Sequence, residues 1–124
     1  MTPKILLIDD EPSMLKFCTA ALRTRGYHVD TAMDGAQGWE ELQRESYDLV
    51  ITDNLMPKIT GLGLIQLLRN AEIAMPVIMI TGSLPPAEIL KAPSTRPFTI
   101  LQKPFTMDEL LEAITKSLAK AKAA

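Results

Sequence analysis

Short runs of hydrophobic residues alternate along this chain with longer stretches in which hydrophobic residues recur at helical spacing. Runs this short and uniformly apolar are typical of strands that are buried on both faces of a parallel sheet. One further segment alternates apolar and polar positions, as a half-exposed strand does. The pattern therefore predicts five strands, at residues 5–8, 27–32, 48–53, 77–80 and 99–102.

The stretches between these strands carry start and stop signals of helices. Pro12 is tolerated in the first turn of a helix, and Gly26 is a typical residue just beyond a helix end. The tail at residues 119–124 is rich in Ala and Lys and is expected to fray. A capping residue followed three positions later by Glu or Gln marks a helix start. The start signals are Asp34 with Gln37, Gly61, and Thr106 with Glu109.

Strand and helix in five repeats predict an α/β fold with one parallel sheet. Each crossover between parallel strands must be right-handed, which places helices on both faces of the sheet. The simplest strand order is 2-1-3-4-5, and it makes strands 1 and 3 neighbours at the point where the order reverses. Residues 1–124 are therefore predicted to form a single domain, with residues 119–124 as a frayed tail or the start of a linker.

Composition narrows the class of protein. With 124 residues and 47% hydrophobic content the chain can bury a core, and its net charge of −2 gives no basic surface for nucleic acid. Cys18 is the only cysteine, so no internal disulfide can form and a reducing compartment is indicated. No apolar stretch approaches the ~20 residues that cross a bilayer, and no signal peptide is recognisable. These features predict a cytoplasmic protein without membrane contact.

Four of the predicted strands lead into residues that can bind phosphate or metal. Ligands of an open α/β sheet bind outside the carboxyl ends of the strands, so these residues are expected at one rim. Two carboxylates about 5 Å apart repel by about 3 kcal/mol at an effective dielectric of ~20, so a cluster of them needs a cation. A hard divalent ion, Mg²⁺ or Mn²⁺, is the expected cofactor. The residues are Asp9, Asp10 and Asp53, with Thr81 and Lys103 beside them.

Four motifs in this chain together resemble the receiver domain of two-component response regulators, which has the flavodoxin-like fold of CheY. Each motif is weak alone, because an Asp-Asp pair or a Lys-Pro dipeptide is common in unrelated proteins. Their order at the ends of the predicted strands makes the resemblance specific, and it covers nearly the whole chain. The motifs are Ile8-Asp9-Asp10-Glu11-Pro12, Thr52-Asp53-Asn54-Leu55-Met56-Pro57 with Gly61, Ile80-Thr81-Gly82 and Gln102-Lys103-Pro104-Phe105.

The resemblance implies a phosphorylation-activated signalling switch. Asp53 would accept a phosphoryl group from the phosphohistidine of a sensor histidine kinase or phosphotransfer protein. Thr81 would donate its hydroxyl to one phosphoryl oxygen, Lys103 would pair with another, and the Lys103–Pro104 peptide bond is expected to be cis. The domain would slowly hydrolyse its own acyl phosphate, so it is expected to be a stoichiometric acceptor with autophosphatase activity, and not an enzyme.

The same resemblance implies how the cation is held and where the signal goes. Asp10 and Asp53 would be direct ligands, with the backbone carbonyl of Leu55 as a third, and Asp9 would act largely through a metal-bound water. An output partner, or a second copy in a homodimer, would dock on the face of the fourth helix, the fifth strand and the last helix. No direct contact with nucleic acid is expected.

Residues 84–98 depart from the usual family pattern. Pro86 can open a helix but Pro93 should end it, so the fourth helix is predicted to be short or irregular. The family usually carries an aromatic residue three positions before the lysine, and Ile100 stands there. Phe98 lies on the same strand face and is a candidate substitute. We therefore expect the output to run through rearrangement of residues 84–98.

Two positions bear on the lifetime of the phosphorylated form. In the family, the residues two beyond the acceptor and two beyond the threonine tune dephosphorylation, and here they are Leu55 and Ser83. An apolar Leu55 cannot orient an attacking water. Slow self-dephosphorylation is therefore predicted.

Alternative functions stay open on the sequence alone. Hydrolases with an aspartyl-phosphate intermediate usually carry a second aspartate two residues after the nucleophile, but Leu55 follows Asp53 and Glu11 follows Asp9 at that spacing. A receiver-fold adaptor would instead act by protein binding without phosphorylation. Taken singly, Asp9 and Asp53 are also compatible with a role as turn or helix caps, which is common for aspartate at strand ends.

Overall fold

Five parallel strands form one sheet in the order β2-β1-β3-β4-β5 in the computed structural model, which describes residues 2–82 and 99–123. Four helices connect or follow these strands within the described residues. In chain order the elements are β1 (Lys4–Ile8), α1 (Pro12–Thr24), β2 (His28–Ala32), α2 (Gly35–Arg44), β3 (Leu49–Asp53), α3 (Gly61–Asn70), β4 (Val77–Thr81), β5 (Thr99–Gln102) and α4 (Met107–Ala123).

The predicted α/β class and strand order are confirmed. β3 is central, because it pairs in parallel with β1 on one side and with β4 on the other, and β2 and β5 form the two edges of the sheet. The predictions for a short fourth helix, for rearrangement of residues 84–98, and for Ser83 and Phe98 lie outside the described residues. Ile100 is described, is half-buried and packs against the core.

The core lies on both faces of the sheet because strand side chains alternate between the faces. Ile5 and Leu7 of β1 face α1 and α4, whereas Leu6 and Ile8 face α2 and α3. This two-sided burial explains why the strands appear in the sequence as continuous apolar runs. The buried hydrophobic residues of the helices are Leu15, Cys18, Leu22, Leu110 and Ile114 on the face covered by α1 and α4, and Leu42, Leu64, Ile65 and Leu68 on the face covered by α2 and α3.

Both predicted capping pairs form hydrogen bonds at helix starts. Thr106 Oγ1 accepts the Glu109 amide at 3.1 Å, and the Glu109 carboxylate accepts the Thr106 amide at 2.9 Å. Asp34 accepts the Gln37 amide at 2.8 Å, but the Gln37 side chain returns to the amide of Met33 instead of that of Asp34. These bonds satisfy amides that the first turn of a helix leaves unpaired.

The predicted fraying of residues 119–124 stays a prediction, and the structure describes helix through most of this tail. Helix α4 continues to Ala123. Ala and Lys are among the strongest helix formers, and the Lys116 ammonium lies 2.8 Å from the carboxylate of Glu112 one turn earlier, so the helix has local reasons to continue. Across residues 2–82 and 99–123, no helix is long and apolar enough to cross a membrane.

Candidate functional site

The acidic residues of the rim come from two adjacent strands. Asp9 directly follows β1, and Asp53 is the last residue of β3. The register pairs Ile8 with Thr52, so Asp9 and Asp53 stand side by side at the carboxyl end of the sheet. Carboxylate oxygens of Asp9, Asp10 and Asp53 all lie within 4.8 Å of one another. The predicted clustering of the three carboxylates is confirmed.

The three carboxylates differ in their exposure to solvent. Asp9 is only 2% exposed and Asp53 8%, whereas Asp10 is exposed. Burial raises the pKa of Asp9 above its ordinary value, and the charges of Asp53 and Asp10 add to that rise. The hydrogen bond from the Glu11 amide and the Lys103 charge oppose it only in part. The charged form of Asp9 is therefore disfavoured mainly by burial and in addition by repulsion from the two neighbouring carboxylates.

Lys103 supplies the cation of the site from the end of β5. Its Nζ lies 3.2 Å from Asp53 Oδ2. The Lys103 amide donates to the Thr81 carbonyl at 2.8 Å, which continues the pairing of β4 with β5 one residue past the strand. The Lys103–Pro104 peptide bond is cis, as predicted. The structure thus brings Lys103 to Asp53 across the end of the one intervening strand, β4.

Thr81 ends β4 and is fully buried. The register pairs Ile80 with Asp53 and Thr81 with Gln102, so Thr81 lies on the same rim, between the strands that carry Asp53 and Lys103. This is the neighbourhood predicted for the hydroxyl. Its role toward a phosphoryl oxygen stays a prediction.

Asp9 and Asp53 also make the turn contacts that are common for aspartate at strand ends. Asp9 Oδ1 accepts the Glu11 amide at 2.9 Å, and Asp53 Oδ1 accepts the Leu55 amide at 3.3 Å. Each is the bond of an aspartate to the backbone two residues on. Oδ2 of Asp53 instead faces Lys103. The turn contact of Asp53 therefore orients its carboxylate and leaves an oxygen directed at the cation.

The loop after β3, residues 54–60, contains Asn54, for which the sequence pattern predicted no role. The Asn54 carbonyl accepts the Gly61 amide at 3.0 Å, and its Oδ1 accepts the Leu62 amide at 3.1 Å. Asn54 thereby fixes the start of α3 next to Asp53. Its position between Asp53 and the predicted helix start at Gly61 is the feature of the sequence that could have indicated this role. The Leu55 side chain is 67% exposed, and the ligand role of its carbonyl stays a prediction.

The donor set fits a hard divalent cation. Three carboxylates converge from different positions of one rim, and oxygen ligands of this kind are those that Mg²⁺ and Mn²⁺ prefer. Repulsion between carboxylates at this separation amounts to about 3 kcal/mol per pair at an effective dielectric of ~20. One lysine cannot offset three such groups, so a bound divalent ion has a clear electrostatic benefit here.

A family comparison decides what kind of domain carries this site. The family described as "Response regulator receiver domain" matches residues 5–115. The chain belongs to this receiver domain family. The site described above lies within the matched residues.

This receiver domain is similar to curated proteins over nearly its whole length. Transcriptional regulatory protein GlrR of Escherichia coli (strain K12) is 39% identical over 119 residues, which cover 94% of this chain and 26% of GlrR. Response regulator receiver protein CpdR of Brucella abortus (strain 2308) is 33% identical over 118 residues, which cover 95% of this chain and 98% of CpdR. The chain thus spans about a quarter of the length of GlrR and nearly all of CpdR.

A solved structure of a response regulator has the same fold as this chain. Response regulator TrrA of Thermotoga maritima, crystallised in complex with Mg²⁺-BeF, superposes with a TM-score of 0.79 at 30% identity. The alignment covers 94% of this receiver domain and 98% of TrrA.

The charge imbalance of the cluster leads to a prediction on stability. Asp9→Asn is expected to raise the free energy of unfolding of the metal-free receiver domain by about 1 kcal/mol, or roughly 4 °C in Tm. Asn keeps an oxygen for the Glu11 amide but removes a buried charge that Asp53 and Asp10 repel. The measurement is thermal unfolding in EDTA, followed by circular dichroism. Asp10→Asn, at an exposed position, should change Tm less, and a lower Tm for Asp9→Asn would contradict the prediction.

Proposed function

We propose that this receiver domain is a phosphorylation-activated switch in which Asp53 accepts a phosphoryl group from the phosphohistidine of a sensor histidine kinase or phosphotransfer protein. The observation that carries the proposal is the 3.2 Å approach of Lys103 Nζ to Asp53 Oδ2 beside two further carboxylates. This arrangement combines a nucleophile with an ammonium that can neutralise phosphoryl charge and with carboxylates that would hold a divalent cation for the same purpose. The printed names of GlrR and CpdR, a transcriptional regulatory protein and a response regulator receiver protein, agree with a signalling role.

Asp53 supplies the nucleophile in the proposed reaction. An Asp53 carboxylate oxygen forms the new bond to phosphorus while the bond from phosphorus to the histidine nitrogen breaks, and the imidazole leaves with that electron pair. A carboxylate is ionised at neutral pH, so no general base is required. Phosphoryl transfer proceeds mainly by positioning and charge neutralisation, and the residues of the rim are suited to both.

The surrounding side chains orient the phosphoryl group. Lys103 pairs with one phosphoryl oxygen, and the Thr81 hydroxyl donates to another from the neighbouring strand end. Asp9, Asp10, Asp53 and the Leu55 carbonyl would hold Mg²⁺, or Mn²⁺. When bound, the ion supplies positive charge to the phosphoryl oxygens and relieves the repulsion among the carboxylates.

Hydrolysis resets the switch. Water attacks phosphorus, the bond between phosphorus and the Asp53 oxygen breaks, and inorganic phosphate leaves while the Asp53 carboxylate is regenerated. The protein then acts as a stoichiometric acceptor with autophosphatase activity, and not as a multiple-turnover enzyme. We propose a cytoplasmic location, because the phosphohistidine donor is formed from ATP there.

The rate of this reset depends on Leu55 in our proposal. Leu55→Asn is expected to speed decay of the phosphorylated protein about tenfold, below the 10²–10⁴ that a fully aligned general base supplies. The exposed Leu55 side chain cannot hydrogen-bond a water, and an amide at this position can. The measurement is the time course of phosphoprotein loss by intact mass after removal of the donor. Leu55→Met is the matched apolar control, and equal decay rates for Asn and Met would contradict the prediction.

The proposed function is tested by offering the protein a small phosphoryl donor. Incubation with acetyl phosphate should add one phosphoryl group in the presence of Mg²⁺ and none in EDTA, as read by intact mass. Mg²⁺-dependent addition of a single group supports the switch. No addition with either Mg²⁺ or Mn²⁺ would overturn it and favour an adaptor that acts by protein binding alone.

A further inference from the structure

The loop at residues 54–60 is in direct backbone contact with the start of α2. Gly35 is buried there, and a Cβ placed on it would lie 2.2 Å from the Ile59 carbonyl oxygen and 2.7 Å from Ile59 Cβ. Real side chains do not approach so closely, so any residue other than glycine would push the loop or the helix aside. Ile59 itself packs against the core cluster on the α2 and α3 face of the sheet. The loop is therefore held between helix backbone and core.

An ion pair joins the same two elements beside this contact. Asp34, the N-cap of α2, accepts the Gln37 amide through Oδ1, and its Oδ2 lies 3.4 Å from Lys58 Nζ. The Gln37 hydrogen bond, together with Lys58, lowers the pKa of Asp34, which favours the carboxylate form that Lys58 attracts. Lys58 has a φ of 71°, a left-handed conformation that a residue other than glycine keeps only where its surroundings hold it.

The loop reaches the phosphorylation site at its other end. The Leu55 amide donates to Asp53 Oδ1 at 3.3 Å, and Asn54 holds the first turn of α3 through Gly61 and Leu62. A Cβ on Gly61 would lie 2.7 Å from the Asp53 carbonyl oxygen, so this end is as closely packed as the other. A shift of residues 58 and 59 is thus transmitted through a few peptide units to the groups that orient Asp53.

We propose that Asp34, Gly35 and Lys58 are positioning residues of the phosphorylation site. By fixing residues 54–60 against α2, they set the orientation of the Asp53 carboxylate and the place of the Leu55 carbonyl. They touch none of the reacting atoms, and their effect on Mg²⁺ binding is transmitted by the loop. The inference rests on the proposed function, because it assigns a role toward the ion that Asp53 and Leu55 would hold.

The main test compares two glycines of the same helix. Gly35→Ala should weaken Mg²⁺ binding to the unphosphorylated protein about tenfold, a usual cost of disturbing groups behind metal ligands. Gly38→Ala is the matched control. The three heavy atoms nearest to its added Cβ all belong to the Ile8 side chain, the closest being the terminal Cδ1 at 2.3 Å, and none of the three belongs to residues 54–60. Its Mg²⁺ affinity should equal that of the wild type. Isothermal titration with MgCl₂ measures the affinity, and circular dichroism checks that both variants fold.

A variant at an exposed position tests the same inference with little effect on the stability of the fold. The Lys58 side chain is 66% exposed, and Lys58→Met should weaken Mg²⁺ binding about two- to threefold, in keeping with the modest strength of exposed ion pairs. Lys58→Arg keeps the cation and should restore the affinity. In phosphorylation by acetyl phosphate, Lys58→Met should raise the Mg²⁺ concentration at half-maximal rate but leave the rate at saturating Mg²⁺ unchanged.

The outcomes separate this inference from the function on which it rests. Weaker Mg²⁺ binding in Gly35→Ala and Lys58→Met, with normal binding in Gly38→Ala and Lys58→Arg, supports the inference. Wild-type affinity in a folded Gly35→Ala, or in Lys58→Met where Gly35→Ala does not fold, overturns it while the proposed function stands. A wild-type protein that neither binds Mg²⁺ nor gains a phosphoryl group overturns both.

Discussion

Asp53→Asn is expected to abolish Mg²⁺-dependent phosphorylation of this receiver domain by acetyl phosphate. The proposed nucleophile is a carboxylate oxygen, and an amide oxygen at the same place carries no charge with which to attack phosphorus. The neighbouring carboxylates are poor replacements, because Lys103 Nζ lies 3.2 Å from an oxygen of Asp53, where it can meet phosphoryl charge. Intact mass after incubation should show one added phosphoryl group on the wild type and none on the variant.

Asp48→Asn is a matched control for this experiment. Asp48 immediately precedes β3, at the opposite end of the strand from Asp53, and its Oδ2 accepts the Lys4 amide at 2.7 Å. The same chemical change there should leave phosphorylation at the wild-type level. A phosphoryl group on Asp53→Asn would show that a different residue is the acceptor and would contradict the assignment of Asp53.

The strands were predictable because their burial leaves little ambiguity in the sequence. Residues 99–102 were predicted as a strand and form β5, and residues 77–80 form β4 together with Thr81. Parallel strands covered on both faces carry apolar residues at nearly every position, and the two core clusters show this two-sided covering. Once strand order follows from right-handed crossovers, the residues at the strand ends must share one rim.

The contacts between the start of α2 and residues 54–60 could not be predicted from the sequence. Asp34 and Gln37 predicted a helix start, but nothing local in the chain indicates that Gly35 lies against Ile59 or that Lys58 pairs with Asp34. Such contacts depend on how the fold places two elements that are far apart in the sequence side by side. Local signals show where a helix begins, and tertiary packing decides what that end touches.

The functional site likewise has features that the sequence predicts and features that it does not. The meeting of Asp9, Asp10, Asp53 and Lys103 could be predicted from strand ends, whereas their unequal environments could not. Asp9 and Asp10 are adjacent in sequence, yet the first is buried and the second exposed. Successive residues leaving a strand point in different directions, so one meets the core of the rim and the other meets solvent. Burial of Asp9 in the rim is the main cause of its raised pKa.

Lys103→Met is expected to slow phosphorylation by acetyl phosphate about 10²–10³-fold and to tighten Mg²⁺ binding at the same time. Methionine keeps much of the side-chain length but removes the ammonium that would meet phosphoryl charge in the transition state. The same removal leaves the Asp53 carboxylate without its cation at 3.2 Å, so the acidic cluster attracts Mg²⁺ more strongly. Loss of about 1 kcal/mol of competing attraction corresponds to about fivefold higher affinity.

The opposite signs of these two effects distinguish a catalytic role of Lys103 from a structural one. If Lys103 only held the rim together, its loss would weaken Mg²⁺ binding along with phosphorylation, because the carboxylates would no longer be well placed. Lys116→Met removes an exposed lysine that pairs with Glu112 on α4 and should alter neither quantity. Mg²⁺ affinity from calorimetry and the phosphorylation rate from intact mass, measured on both variants, give the comparison. Slower phosphorylation with weaker Mg²⁺ binding in Lys103→Met would refute the catalytic assignment.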